Sequence, residues 1–402
     1  MTSETRNRSD LGRANRRAVL AAVVLDGPLP RTEIANATGL TTAAVSRITR
    51  DLIDAGLLIE LPDDAGDHLD DRRGPGRRFV RLDVNAEGGY VLGIGVNVFS
   101  QSVTLADLKN RRIARQDLKL RDLSDPERVI DALIRVAKDL VGRHLSDRRR
   151  LLGACIAFTG AVDPETGVVR TSPYLRWGEV AMCDRFEQAL AMPVHIENLN
   201  VAIALAESRF GIARGMTNML TVNCSLGIGA SLLIDGRIAR GHDCSAGLIG
   251  GIVPPRADDL TLDMVAGGHA VLKTLYSNKL SIPSTPSNEL ADMLLAAIDR
   301  ANTGDAAARA AIADAGRTLG QTLRPFAELL RPQAVAIAGP VTTSPDYIDA
   351  CRDALTGGRG AYAPALLVSD LSPQAAARWV AIDEFLLERD LNLDDLKLSK
   401  AA

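Results

Sequence analysis

Thr42, Ala43, Ser46, Arg47 and Arg50 share one side of a helix at 3.6-residue spacing, while Val45, Ile48, Leu52 and Ile53 take the other. Short hydroxyl and methyl groups beside guanidiniums suit hydrogen bonding and contact with base edges in a major groove, with Arg50 and the earlier Arg31 placed for phosphate. Thr41, just before this run, is an N-cap type whose side chain can hold the first turn. A second cluster, Arg72, Arg73, Arg77 and Arg78 around Gly74-Pro75-Gly76, puts four cations on an extended turn, a form that fits a narrow, electronegative minor groove. The same loop carries Asp63, Asp64, Asp67, Asp70 and Asp71, so a solvated, self-balanced loop is the competing reading.

These groups need a scaffold, and the flanking sequence supplies one. In PRTEIANATGLTTAAVSRITR (30–50), Ala35, Gly39 and Val45 fall where two short helices cross: a small residue for close approach, a glycine to turn and an apolar lock. Thr32 is expected to cap the first of these helices and Thr41 the second, which runs to about Ala55. Asn15 to Leu25 reads as a preceding helix, and LLIEL and RFVRLDV as the two strands of a wing. The first fifty residues hold eight Arg against four Asp or Glu in a chain of net charge -3, so the basicity is local to this head.

The remaining three hundred or so residues exceed what DNA reading requires. After Tyr90 the pattern is strand, strand, turn at Lys109-Asn110, strand, then a helix from about Pro126 to Arg143. LLGACIAF and VHIEN are buried strands, a helix is expected from Trp177 to Leu190 and another from Val201 to Phe210. MLTVNCSLGIGASLLIDGRIARG then repeats the strand-turn-strand opening, so the architecture looks duplicated; VAIAG is a further strand, and Pro373 to Glu388 a closing helix. With 402 residues, 46% hydrophobic and 24% charged, a small domain plus a two-lobed large one is expected. No run of about twenty apolar residues and no apolar leader behind MTSETRNRSD point to the cytoplasm and no membrane. Cys155, Cys183, Cys224, Cys244 and Cys351 are scattered without a CxxC pair and read as buried, reduced thiols. His242 and Cys244 lack further ligands for a tetrahedral shell, so no metal is expected.

From about Asn15 to Glu388 the chain resembles the ROK family of repressors and sugar kinases. The winged head, VDPETGVVRTSPYLRW, ENLNVAIALAE, SLGIGASLLIDGRIARG and AGLIGG followed by LTLDMVAGG carry the resemblance through their order and spacing. It implies an α/β fold: an N-terminal winged helix-turn-helix (1–82) and a two-lobed actin-like, ribonuclease H-like domain of the sugar-kinase type, with lobes at 83–200 (closed by 373–388) and 201–372.

The departures are chemical. Gly95 stands where family kinases carry an Asp, with Asn97, Val98 and Phe99 across the turn. Leu199, between Asn198 and Asn200, replaces the proton-accepting Asp of the ENDAN pattern, and Leu248 and Gly251 replace the Glu and His of AGEIGH. Leucine cannot accept a hydroxyl proton, so no catalytic residue, nucleotide or other cofactor is expected. The family's zinc cysteines are missing as well, and SLGIG without a Lys reads as a hairpin turn. Gly160, Tyr174, Trp177, Asn198, Asn200 and Asp263 are the candidate ligand-binding residues. The expected partners are a double-stranded DNA operator, a sugar or sugar-derivative effector, and further copies of the chain as a homodimer or homotetramer. The expected function is a transcriptional regulator, a repressor of carbohydrate-related genes. A sugar kinase with a fused DNA-binding head and a ligand-independent oligomerisation protein are the alternatives.

Overall fold

The computed structural model describes residues 3–61, 80–120, 122–254, 259–276, 288–357, 362–389 and 391–396. The head is built from α1 (Ser3–Asp26), a short strand β1 (Leu29–Pro30), α2 (Arg31–Thr38), α3 (Thr42–Asp54), β2 (Leu58–Leu61) and β3 (Arg81–Val84). Its sheet runs β1-β3-β2, all antiparallel, one strand more than the sequence suggests. Val19, Val23, Ile34, Val45, Leu52, Leu57 and Leu82 close its core.

The first large sheet is ordered β11-β7-β4-β5-β6, from β4 (Tyr90–Val96), β5 (Gln101–Asp107), β6 (Arg112–Leu118), β7 (Leu151–Phe158) and β11 (Val194–Asn198). Between β7 and β11 lie β8 (Ala161–Asp163), β9 (Val168–Thr171) and β10 (Val180–Ala181), which form a small antiparallel sheet, and then α5 (Met182–Leu190). The helix expected from Trp177 starts later, because Val180 and Ala181 pair with β9. One face of the large sheet buries Leu92, Ile94, Val103 and Leu105 in a core shared with α4 (Pro126–His144).

After α6 (Leu199–Phe210), the second sheet is ordered β14-β13-β12-β15-β16, from β12 (Met219–Cys224), β13 (Ile228–Ile234), β14 (Arg237–Ile238), β15 (Ala334–Ala338) and β16 (Ala365–Val368). In both sheets a three-stranded antiparallel meander is extended by two parallel strands, so the duplication anticipated from the sequence is present strand for strand. Helices α7 (Leu262–Ala266), α8 (Gly268–Tyr276), α9 (Glu289–Asn302), α10 (Ala306–Leu330) and α11 (Pro345–Thr356) complete this lobe.

The chain then returns to the first sheet as α12 (Pro373–Ile382), winds on as a π-helical segment (Asp383–Glu388), and reaches α13 (Leu393–Leu396). Gly93 and Gly95 let α12 lie directly on β4: a Cβ on either would meet Arg378 or Gln374. All five cysteines are free thiols; Cys244 alone is not buried. Among the described residues no helix is long and apolar enough to cross a membrane.

Candidate nucleic-acid interface and interlobe cleft

Pro30, held in an extended conformation, occupies the N-cap of α2 without a side-chain bond, so the helix begins at Arg31 and Thr32 is not its cap. Gly39 turns the chain at φ +69°, a left-handed value that a side chain would strain. Thr41 then caps α3 as expected, its Oγ1 accepting from Ala44 N at 3.2 Å. Ala35 and Val45 are buried at the crossing, with Ile48 and Leu52 behind. Thr42, Ala43, Arg47 and Arg50 are exposed and Ser46 half-buried, so the outward face of α3 is the one the sequence pattern outlines. Arg31 has partners inside the head, donating to Glu60 Oε1 at 2.7 Å and Thr49 Oγ1 at 3.2 Å. Its structural duty is to tie α2 to α3 and the wing strand. Arg72, Arg73, Arg77 and Arg78 lie outside the described residues.

The head is fastened to the body by contacts the sequence does not advertise. The buried Arg150, just before β7, donates to the carbonyls of Gly88 (2.7 Å), Leu396 (3.0 Å) and Ala55 (3.4 Å), joining the linker, the C-terminal helix and the end of α3. Asn85 Nδ2 donates to Gly56 O at 2.7 Å, and Lys109 pairs with Asp83 at 2.5 Å. Arg214 donates to Leu25 O at 2.8 Å and pairs with Asp26, holding the end of α1. On the π-helical segment, Asp383 and Glu388 face Arg209 at 2.9 and 2.8 Å, and Glu388 also faces Arg17 of α1. No periodicity marks such residues, because their partners are carbonyls and charges from distant segments.

Between the lobes is a cavity of about 490 Å³, lined among others by Asn97, Val98, Gly160, Tyr174, Asn198, Leu199, Asn200, Asn223, Leu248 and Asp263. Five of the six candidate ligand residues therefore meet in one place. Trp177 does not: it is 2% exposed, its Nε1 donates to Leu123 O at 2.7 Å, and its ring packs 5.3 Å from that of Phe158. A ring satisfied on both its polar and apolar sides belongs to the core, so Trp177 is not a cleft residue as the sequence suggests.

The polar groups of the cleft are largely spent on the protein itself. Asn198 caps α6, its Oδ1 accepting from Asn200 N (2.8 Å) and Val201 N (3.4 Å) while its Nδ2 donates to Gly160 O (2.6 Å). Asp263 accepts from Tyr174 at 2.7 Å and from Ile228 N at 2.5 Å, a bridge from the β9-side loop to the second lobe. Burial and the neighbouring Asp263 push the Tyr174 hydroxyl far above its ordinary range, so it remains a donor. Asn97 Oδ1 accepts from Phe99 N and Ser100 N, closing the first hairpin. Leu199, the first residue of α6, is 6% exposed and sits in the cavity wall.

A second interlobe bond lies beside the cleft: the fully buried Glu197 accepts from Arg240 at 2.6 and 3.0 Å, with His195 at 3.9 Å. Burial alone would raise this carboxyl, but His195 and Arg240 outweigh it and hold it below its usual value. Among the described residues no three His, Cys, Asp or Glu side chains converge as a metal shell would require.

A model of the ROK family matches residues 92–368, and a winged helix-turn-helix DNA-binding model matches residues 13–59. The chain is 28% identical over 340 residues to the N-acetylglucosamine repressor of Escherichia coli O157:H7, covering 82% of this chain and 80% of that protein. A crystal structure of a ROK family transcriptional regulator, a homologue of the E. coli Mlc protein, superposes with a TM-score of 0.74 at 21% identity, covering 96% of this chain and 99% of that one. A ROK family glucokinase from Streptomyces griseus, solved with glucose and AMPPNP, superposes with a TM-score of 0.61 at 20% identity, over 73% of this chain and 98% of its own. The fold is thus shared by regulator and kinase, and side chains must separate the two.

Proposed function

The chain belongs to the ROK family, and from that premise we propose that it is a DNA-binding transcriptional repressor of carbohydrate-related genes whose kinase-like cleft senses an effector without phosphorylating it. One observation carries the reading: Leu199 occupies the cleft wall at the start of α6, where a transferase needs a proton acceptor. The nearby carboxylate, Asp263, accepts from Tyr174 and Ile228 N and is already engaged. The winged head in front of the cleft, and the repressor name of the relative, support an operator as the partner.

The division of labour runs along the chain: residues 1–82 read DNA, and the lobes 83–200 (closed by 373–388) and 201–372 hold the ligand between them. Thr41, Thr42, Ala43, Ser46, Arg47 and Arg50 face the major groove, and the wing arginines the minor groove. Gly160, Tyr174, Asn198, Asn200 and Asp263 frame the effector. A ligand that binds the closed lobes more tightly than the open ones shifts their equilibrium by its differential affinity. Arg150, and Asn85 just after β3, pass that shift to the head, and in a homodimer or homotetramer it alters the spacing of the recognition helices on an inverted repeat.

The test is an assay of phosphoryl transfer from ATP to a panel of hexoses and amino sugars, run beside duplex-DNA binding. DNA binding with no turnover is expected; turnover above background would restore the kinase reading.

A further inference from the structure

The geometry points to a neutral ligand with an apolar substituent, of the alkyl or aryl glycoside class, as the occupant of the cleft; this deepens the proposed effector-sensing reading and rests on it. Among the described residues that line the cavity there is no Lys, Arg or His. Its two ionisable side chains, Asp263 and Tyr174, are bonded to each other, and the tyrosine stays protonated. A phosphate or carboxylate entering this space would lose its water, meet no cation and face a carboxylate, the arrangement that disfavours a buried charge most strongly. An ammonium would find one carboxylate whose two oxygens already accept bonds.

The rest of the wall is of two kinds. Asn200 and Asn223 are neutral amides suited to hydroxyls, while Asn97 spends its Oδ1 on Phe99 N and Ser100 N. Val98 and Leu199 from the first lobe and Leu226 and Leu248 from the second are apolar, and Leu248 stands 50% exposed. An uncovered leucine in a cleft wall is satisfied by apolar matter. A bare hexose offers it hydroxyls; a glycoside offers hydroxyls to the amides and its aglycone to the leucines. The aglycone would bridge both lobes and so favour their closure.

Calorimetric titration of the full chain with the phenyl α- and β-glycosides of glucose, galactose and N-acetylglucosamine, the free sugars and their 6-phosphates tests this. At least one phenyl glycoside is expected to bind tenfold or more tightly than its parent sugar, with each 6-phosphate weaker than the parent. Leu248→Glu, at a half-exposed site where folding is not at stake, is expected to abolish the phenyl preference. A 6-phosphate that binds best, and loses binding on Leu248→Glu, overturns the ligand class while leaving the cleft a sensor. Phenyl glycoside binding that ignores Leu248→Glu and Val98→Asp places the ligand elsewhere and also overturns the inference. No binding by any compound overturns both the class and the sensing reading.

Discussion

On α3, Arg47 and Arg50 stand in solvent, and neither guanidinium has a hydrogen-bond partner among the described residues. In the cleft, Asn198, Tyr174 and Asp263 are each bonded to other parts of the chain, and Leu199 lines the wall. α3 thus leaves two guanidiniums unpaired among the described residues, whereas the cleft uses many of its polar groups to hold its shape. A surface with unspent donors can gain binding energy from DNA. A cavity held by the Asn198–Gly160 and Tyr174–Asp263 bonds gains its shape from the chain itself. Arg150 joins the head to the body, and Asp383 begins the π-helical segment whose Glu388 faces Arg17 of α1.

Breaking that joint gives the largest effect. Arg150→Met leaves three carbonyls without their shared donor and is expected to destabilise the docked head by on the order of 3 kcal/mol. Limited proteolysis should show the cut at the linker near Asn85 appearing well before the lobes are attacked; unchanged protection would contradict the role given to Arg150.

The π-helical segment also titrates. Burial pushes the Asp383 carboxyl up to about 6, against the pull of Arg209 and with the push of Glu388 and Glu384. The folded chain therefore holds this proton more tightly than the unfolded one, whose aspartates titrate near ~4. The resulting stability is fully present below pH ~4 and is lost as pH rises through about 6, a change of about 3 kcal/mol at most. Asp383→Asn is expected to raise the thermal midpoint at pH 7 and flatten its dependence between pH 4 and 7. A variant less stable than wild type at pH 7 would show that the Arg209 pair outweighs burial.

Sharpening the comparison at the head, Arg47→Ala should weaken duplex binding by about 1–3 kcal/mol and relax sequence preference, while leaving cleft occupancy unchanged. Arg50→Ala should instead lower affinity evenly across sequences and reduce the salt slope by about one. The smallest effect is expected in the cleft. Tyr174→Phe uncovers one oxygen of Asp263 and should cost about 1–2 kcal/mol, read as a lower midpoint for the second lobe with DNA affinity of the ligand-free chain retained.

The regular parts of this molecule were readable from the chain alone because periodicity reports them. The repeated strand-turn-strand opening and α3 with its Thr41 cap leave local marks. Where several rules compete, the sequence misleads. Thr32 looks like a cap, but Pro30 takes that position; Trp177 looks like a cleft aromatic, but Leu123 O and Phe158 hold it in the core; Val201 looks like a helix start, but Asn198 caps a turn earlier and α6 begins at Leu199. The joints were not legible at all. Arg150 is one of three consecutive arginines, and only the carbonyls it reaches in three distant segments distinguish it. Likewise Glu197 and Arg240 are unremarkable until the two lobes are folded against each other.

The most direct test of a DNA-reading head is a fluorescence anisotropy titration of the full chain against duplexes selected from random sequence, repeated across ionic strength. The account predicts preferential binding to an inverted repeat, with the logarithm of affinity falling linearly as the logarithm of salt rises, by nearly one for each phosphate neutralised. Binding without sequence preference, or affinity indifferent to salt, would contradict it.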